Sequence, residues 1–147
     1  MTPLHEVIIN KKTAINPIWI MRQAGRYLPE FREIRKKNPN FIKLCLNHKL
    51  ASEITLQPIK RFDLDAAIIF SDILMLPYGL RQKVEFKKNF GPMLGHLDIA
   101  AMSKMDEIDF TEKIYTVYKA IKSVSLEMNL VNKNTIGFVG APWTLLV

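Results

Sequence analysis

Two short apolar runs, "AAIIF" at Ala66–Phe70 and the "TIGFV" that begins at Thr135, flank a long stretch of helical periodicity. The first run is β-branched at its centre, and such a segment suits a strand covered on both faces. The second has the same character and ends in the glycines of "GFVGAPW". Between them, Ile114, Val117, Tyr118, Ile121, Val124 and Met128 recur at the i, i+3, i+4, i+7 spacing of an amphipathic helix. Thr111 is placed to cap that helix at its N-terminus. Strand, crossover helix and strand make a βαβ unit, so the expected class is α/β with a parallel sheet, open or closed into a barrel. Two parallel strands can neither cover both sheet faces nor close a barrel. Residues 1–147 therefore read as a single incomplete domain, the N-terminal part of something longer.

Upstream, Pro29–Lys37 reads as a short helix, because proline is well suited to the first helical position and "NPN" stops the run. A second helix is expected from about Ser52 to Arg61, with Ile54, Ile59 and Phe62 among its apolar positions and Pro58 placed to kink it. "KVEFKKN" alternates enough for a small extra strand or hairpin. Cys45, between Leu44 and Leu46, is the one cysteine and reads as core filling, with no disulfide to form. No twenty-residue apolar run offers a membrane span. The N-terminal "MTPLHEVIINKKTAINP" lacks the basic start and apolar stretch of a secretory signal, so a cytoplasmic location is expected.

Charge is uneven. Met1–Arg61 carries twelve Lys and Arg against four Asp and Glu, a net +8, whereas Phe62–Val147 carries nine against ten, a net −1. The basic half suggests an anionic partner, nucleic acid or a polyanionic small molecule. Alternatively Lys11, Lys12, Lys36, Lys37, Lys43 and Lys49 form a solvated surface. The arginines of "WIMRQAGRYLPEFREIR" are harder to set aside, since they lie among Trp, Met, Tyr, Leu, Phe and Ile. Arg22 and Arg26 bracket Gln23, Ala24 and Gly25. On one helix their spacing would be repulsive, and Gly25 favours a turn whose Ala24 and Gly25 N–H groups face an anion. Arginine can fork onto a carboxylate in bidentate fashion. The competing reading is a structural turn with snorkelling arginines.

Asp72, in "FSD", falls just past the first strand, at the carboxyl end where α/β sheets and barrels gather ligands. It reads either as a cap for "ILMLP" or as a buried carboxylate awaiting N–H donors, each worth about 1.5–3 kcal/mol. Gly137 and Gly140 would let backbone approach the same ligand. Asp63 and Asp65, at the opposite end of the strand, read as loop or stability residues. His5, His48 and His96 are dispersed and form no metal-binding spacing. No phosphate-loop, dinucleotide or serine-nucleophile motif is present.

"PIWIMRQAGRYLPEFREIR" resembles the N-terminal signature of the uroporphyrinogen decarboxylase family. "LDAAIIFSDILMLP" and "GFVGAPWTL" resemble that family's next two blocks, in the same order. The resemblance implies a (β/α)8 TIM barrel, usually a homodimer, that needs neither metal nor organic cofactor. It implies removal of CO2 from the four acetate side chains of uroporphyrinogen III, giving coproporphyrinogen III in haem biosynthesis. By the same resemblance Arg22, Gln23, Ala24, Gly25, Arg26, Arg35 and Phe138 bind substrate, and Asp72 is catalytic, accepting hydrogen bonds from the pyrrole N–H groups. "GLRQ" at Gly79–Gln82 departs from the family's usual "ALGM", so that loop is expected to pack differently. The family's tyrosine, serine and histidine of the substrate site fall beyond Val147, so this piece alone is expected to be inactive and poorly folded. Two rival readings are a cobalamin-linked methyltransferase of the same fold and a basic nucleic-acid-binding module.

Overall fold

The computed structural model describes residues 1–147 apart from Thr13, Ile15, Lys88, Asn89 and Val147. Four helices precede the first strand of the sheet. After a short α1 (Pro3–Ile8), capped by the Thr2 hydroxyl, α2 spans Pro29–Lys37 with proline at its start and Asn38 at its end, as the sequence predicts. Asn40 caps the single-turn α3 (Phe41–Cys45) by accepting the Lys43 N–H. Asn47 caps α4 (His48–Arg61) through the Leu50 N–H, so α4 starts four residues before the expected Ser52. Phe62 is a correction of another kind: it lies past the helix end in extended backbone and is 43% exposed. Pro58 sits inside α4, fully buried, and the helix continues through it to Arg61.

Strand β1 (Ala66–Ile68) follows, then α5 (Met75–Gly79), the antiparallel hairpin of β2 (Val84–Lys87) and β3 (Gly91–Leu94), and the short α6 (Ile99–Met102). The hairpin settles the alternative left open for "KVEFKKN". Helix α7 (Glu107–Leu130) crosses back and delivers β4 (Asn134–Ile136) alongside β1, in parallel, with Ala67 opposite Thr135. That is the expected βαβ unit. The chain then turns into α8 (Pro142–Leu146). Among the described residues no helix is long and apolar enough to cross a membrane.

Both strands are shorter than their apolar runs. The last ladder bond runs from the Ile69 N–H to the Ile136 carbonyl, 3.1 Å, and beyond it the two chains separate. Gly137–Val139 therefore lie outside the strand, with Val139 exposed, and β4 is only half-buried, where a strand covered on both faces was expected. Helix α7 begins at Asp106, whose carboxylate accepts the Asp109 N–H at 2.7 Å, so Thr111 is an interior residue and not the cap. Its core face is Ile114, Ala120, Val124 and Met128, while Tyr118 points outward.

The core forms where α4 and α7 pack side by side against the sheet: Ala67 of β1 and Ile69 just past it pack with Val124 and Met128. A second cluster joins Leu28, Phe31, Leu44 and Ile54 beneath the arginine-rich segment. Cys45 is buried as expected, and burial pushes its thiol up to about 12. In the "GLRQ" loop, a Cβ on Gly79 would stand 2.5 Å from the Phe110 ring, so α7 approaches α5 where no side chain intervenes. Arg81 there takes positive φ and pairs with Asp109 at 2.9 Å.

Asp63 and Asp65 behave as the stability residues they read as. Lys133 bridges Asp63 and the Leu64 carbonyl, both at 2.7 Å, tying the two strand starts together. Asp65 exchanges two bonds with Ile18: its carboxylate accepts the Ile18 N–H at 2.7 Å, and its own N–H donates to the Ile18 carbonyl at 2.8 Å. The segment carrying the arginines is thus fastened to the sheet before the arginines begin.

Candidate active site

Residues 19–28 form an irregular turn rather than a helix, which removes the like-charge clash that a helical Arg22–Arg26 pair would suffer. Gln23 is its fixed point. Its side chain is 1% exposed, and Oε1 accepts the Ile20 N–H at 3.0 Å. The Tyr27 hydroxyl donates to the Gln23 carbonyl, and the Leu28 N–H donates to the Gly25 carbonyl at 3.0 Å. Leu28 then plugs into the core, 1% exposed, and opens α2. A Cβ on Gly25 would meet Tyr27 at an ordinary 3.5 Å, so space is not what selects glycine there.

Arg22, Gln23 and Ala24 face the carboxyl ends of β1 and β4 across a cavity of about 770 Å³. Asp72 and Ser71 border it after β1, Phe138 after β4, and Phe41 closes one side. The Asp72 carboxylate accepts the Leu74 N–H at 2.9 Å, so it does cap the turn into α5. Among the described residues no cation pairs with it. Burial raises its pKa above the ordinary carboxylate value, and the Leu74 hydrogen bond opposes that only in part. One oxygen holds the turn, and the charge as a whole lacks compensation. Gln23 also borders this cavity, and its buried Nε2 has no hydrogen-bond partner among the described residues. An uncompensated carboxylate bordering such a cavity calls for a polar ligand.

Not every expected residue is here. Arg26 and Arg35 line a second, smaller hollow of about 470 Å³ with Phe31 and Pro39. The Arg35 guanidinium donates to the Asn38 and Pro39 carbonyls at 2.6 and 3.1 Å and lies 5.4 Å over the Phe41 ring. That ring separates it from the Asp72 cavity. Gly25 lines neither space. Gly137 borders the cavity with nothing within 4 Å of a notional Cβ, whereas Gly140 serves packing against Ile73 and Leu145.

A match to the model described as "Uroporphyrinogen decarboxylase (URO-D)" covers residues 1–147. The chain belongs to the uroporphyrinogen decarboxylase family. Uroporphyrinogen decarboxylase of Agrobacterium fabrum is 48% identical over 140 residues, which cover 94% of this chain and 40% of that protein. The Rickettsia felis protein of the same name is 48% identical, covering 88% of this chain and 37% of its own length. That of Campylobacter jejuni is 44% identical, covering 95% and 42%. The chain thus spans about two fifths of the length of the curated relatives it matches.

In this member of the uroporphyrinogen decarboxylase family, one buried residue behind the site directs the chain toward Asp72. Thr55, 1% exposed on α4, donates to the Ala51 carbonyl at 2.7 Å and accepts the Phe70 N–H at 2.8 Å. Phe70 is the first residue past the ladder, and Asp72 follows two positions on. The hydroxyl replaces the lost strand partner and sets the direction in which the chain leaves the sheet. In sequence Thr55 is merely a polar position on an amphipathic helix, and nothing there points to Phe70. Thr55→Val keeps the shape and leaves the Phe70 N–H unpaired, so it should lower stability by about 1–3 kcal/mol, read as a reduced urea midpoint.

Proposed function

We propose that this chain is the N-terminal portion of a uroporphyrinogen decarboxylase, a carboxy-lyase with a (β/α)8 barrel. Its reaction is the conversion of uroporphyrinogen III to coproporphyrinogen III with loss of four CO2. The observation that carries the reading is that Arg22 and Asp72, remote in sequence, border one cavity at the carboxyl ends of two parallel strands. The substrate has matching polarity, with eight carboxylates at its rim and four pyrrole N–H groups at its centre. Arg22 would take a rim carboxylate, while the Gln23 Nε2 and the backbone of Ala24 add donors. Asp72 would accept the central N–H groups, which supply the compensation its buried charge lacks.

Decarboxylation then follows from that polarity. A proton added to a pyrrole carbon makes the ring cationic. The acetate's C–C bonding pair flows into that ring as CO2 leaves, and protonation of the resulting methylene with loss of the ring proton gives a methyl group. The Asp72 carboxylate, already beneath the N–H groups, lowers the energy of the cation, an effect commonly worth several kcal/mol. Phe138 would lie against the macrocycle. The barrel is supported by the parallel βαβ unit, by the family, and by the apolar surface that Ile18, Met21, Val139 and Trp143 expose. Such a surface on a two-stranded sheet calls for further chain or a second copy to cover it, as a homodimer of completed barrels would. A cytoplasmic enzyme fits a chain whose one cysteine is a buried thiol.

Supplying uroporphyrinogen III to the protein completed to the length of its relatives tests the reading. The expected result is four CO2 and one coproporphyrinogen III per substrate. No CO2 release would overturn it. The 147-residue chain alone should release none, and turnover near that of the completed protein would contradict its being an incomplete domain.

A further inference from the structure

The hairpin of β2 and β3 stands apart from the parallel pair, and an isolated two-stranded ribbon is marginal unless one of its faces packs on something. Two bonds close its base. The Gln82 Nε2 donates to the Gly95 carbonyl at 2.9 Å, and the Gly95 N–H donates to the Lys83 carbonyl at 2.8 Å. Side chains alternate along a strand, so Val84 and Phe86 share one face of β2 while Glu85 and Lys87 take the other. Glu85 pairs there with Lys83 at 2.9 Å. The face of Val84 and Phe86 is seated on α3. Val84 packs on the cluster of Ile42, Cys45 and Met75, and the Phe86 ring meets the Phe41 ring edge-on, with centroids 4.8 Å apart and planes at 68°.

Phe41 opens α3, a single turn whose place is set by packing rather than by its own few hydrogen bonds. Its ring also borders the Asp72 cavity. Three partners hold that ring: Phe86, Phe70 edge-on at 5.9 Å, and the Arg35 guanidinium 5.4 Å from its centroid. Two of the three are themselves fixed, Phe70 by the Thr55 hydroxyl and the Phe31 ring, and Arg35 by the Asn38 and Pro39 carbonyls. Phe86 is the partner that comes from outside the cavity and the arginine segment. It is 38% exposed and meets no other ring among the described residues. We propose that Phe86 is a positioning residue, through which the hairpin holds Phe41 in place as a wall of the Asp72 cavity. Its bearing on turnover rests on the decarboxylase reading, whereas the hold of the hairpin on Phe41 does not. Without Phe86 the ring can leave the wall, and only molecules with the wall in place are ready to bind. Apparent affinity falls by that fraction, while a substrate once seated meets the same Asp72.

The test uses the completed protein and Phe86→Ala. KM for uroporphyrinogen III should rise about three- to ten-fold, the worth of one edge-on aromatic pair, with kcat within about two-fold of the parent. Phe86→Tyr keeps the ring and should restore KM. In a Phe41→Leu background, Phe86→Ala should change KM little, because the ring it positions is already gone. Phe86 lies outside the three buried clusters, so the urea midpoint should stay close to that of the parent. Hydrogen exchange without any ligand reads the coupling itself. The Leu44 and Leu46 amides, which close α3 by donating to the Asn40 and Ile42 carbonyls, should exchange faster in Phe86→Ala, while those of α7 should not. An unchanged KM beside normal CO2 release would overturn the proposal and leave the decarboxylase reading intact. So would a rise in KM that persists in full when Phe41 is leucine, or a fall in kcat at constant KM. Faster exchange in α3 of a protein that releases no CO2 would remove the decarboxylase reading and leave the hold of Phe86 on Phe41 standing.

Discussion

Asp72→Asn in the completed protein is expected to lower kcat by about 10²–10³-fold, the usual effect of removing one preorganised electrostatic partner of a developing charge. Asparagine keeps the shape, and its amide oxygen can still accept the Leu74 N–H that the carboxylate holds at 2.9 Å. What disappears is the negative charge beneath the protonated ring. Substrate binding should weaken much less than kcat, because neutral pyrrole N–H groups can still donate to the amide oxygen. Stability should move the other way. Burial raises the Asp72 pKa, so the folded chain holds that proton more tightly than the unfolded one. The stability this contributes is complete below the unfolded carboxylate pKa, near 3.9, and is lost as pH rises through the higher folded value. At neutral pH the ionised, partly desolvated carboxylate is therefore a liability that asparagine removes. Thermal melts at pH 7 should show the variant at least as stable as the parent. The gap should narrow as pH falls toward 4. A variant both fully active and less stable would refute the role given to the charge.

Leu28→Ala should lower stability by about 2–5 kcal/mol, the range for truncating a fully buried leucine when the site cannot collapse. Leu28 is 1% exposed and packs with Phe31, Leu44 and Ile54, residues of α2, α3 and α4. Three elements would lose contact with one side chain, which leaves little room for relaxation. Leu28 also ends the turn that carries Arg22 and Arg26, since its N–H closes the bond to Gly25. The same truncation should therefore raise KM for uroporphyrinogen III as the turn loosens. Urea denaturation followed by circular dichroism reads the first effect, as a lower midpoint at unchanged slope. A midpoint shift equivalent to less than about 1 kcal/mol would show that the cluster does not anchor the turn.

Elements with strong local punctuation were legible in the sequence, as α2 shows, bounded by Pro29 and Asn38. The βαβ unit was legible too, because burial on the sheet forces apolar runs and helical periodicity on the sequence. Boundaries set by distant partners were not. β1 stops at Ile68 because β4 leaves it after Ile136, although Ile69 and Phe70 are as apolar as the strand itself. Asn47 and Asp106 do not stand out as caps because the apolar repeat of each helix starts later; Ile108, in the first turn of α7, is 68% exposed. Size misled at Tyr118, where the smaller Ala120 takes the core position.

At the site, Arg22 and Asp72 could each be singled out by chemistry, and Asp72 lies where the parallel strands β1 and β4 end, on the border of the same cavity. The division of Arg22 from Arg26 depends on the path of one turn, fixed by Gln23 and Tyr27, and no spacing rule reveals it. Thr55 was hidden for the same reason, its partner Phe70 belonging to another element.

The most direct measurement is a structure of the completed protein with coproporphyrinogen III bound under reducing conditions. Pyrrole nitrogens should lie within about 2.7–3.2 Å of the Asp72 carboxylate, with a rim carboxylate on the Arg22 guanidinium. A tetrapyrrole bound elsewhere, with Asp72 still bonded only to Leu74, would contradict the assignment of this cavity.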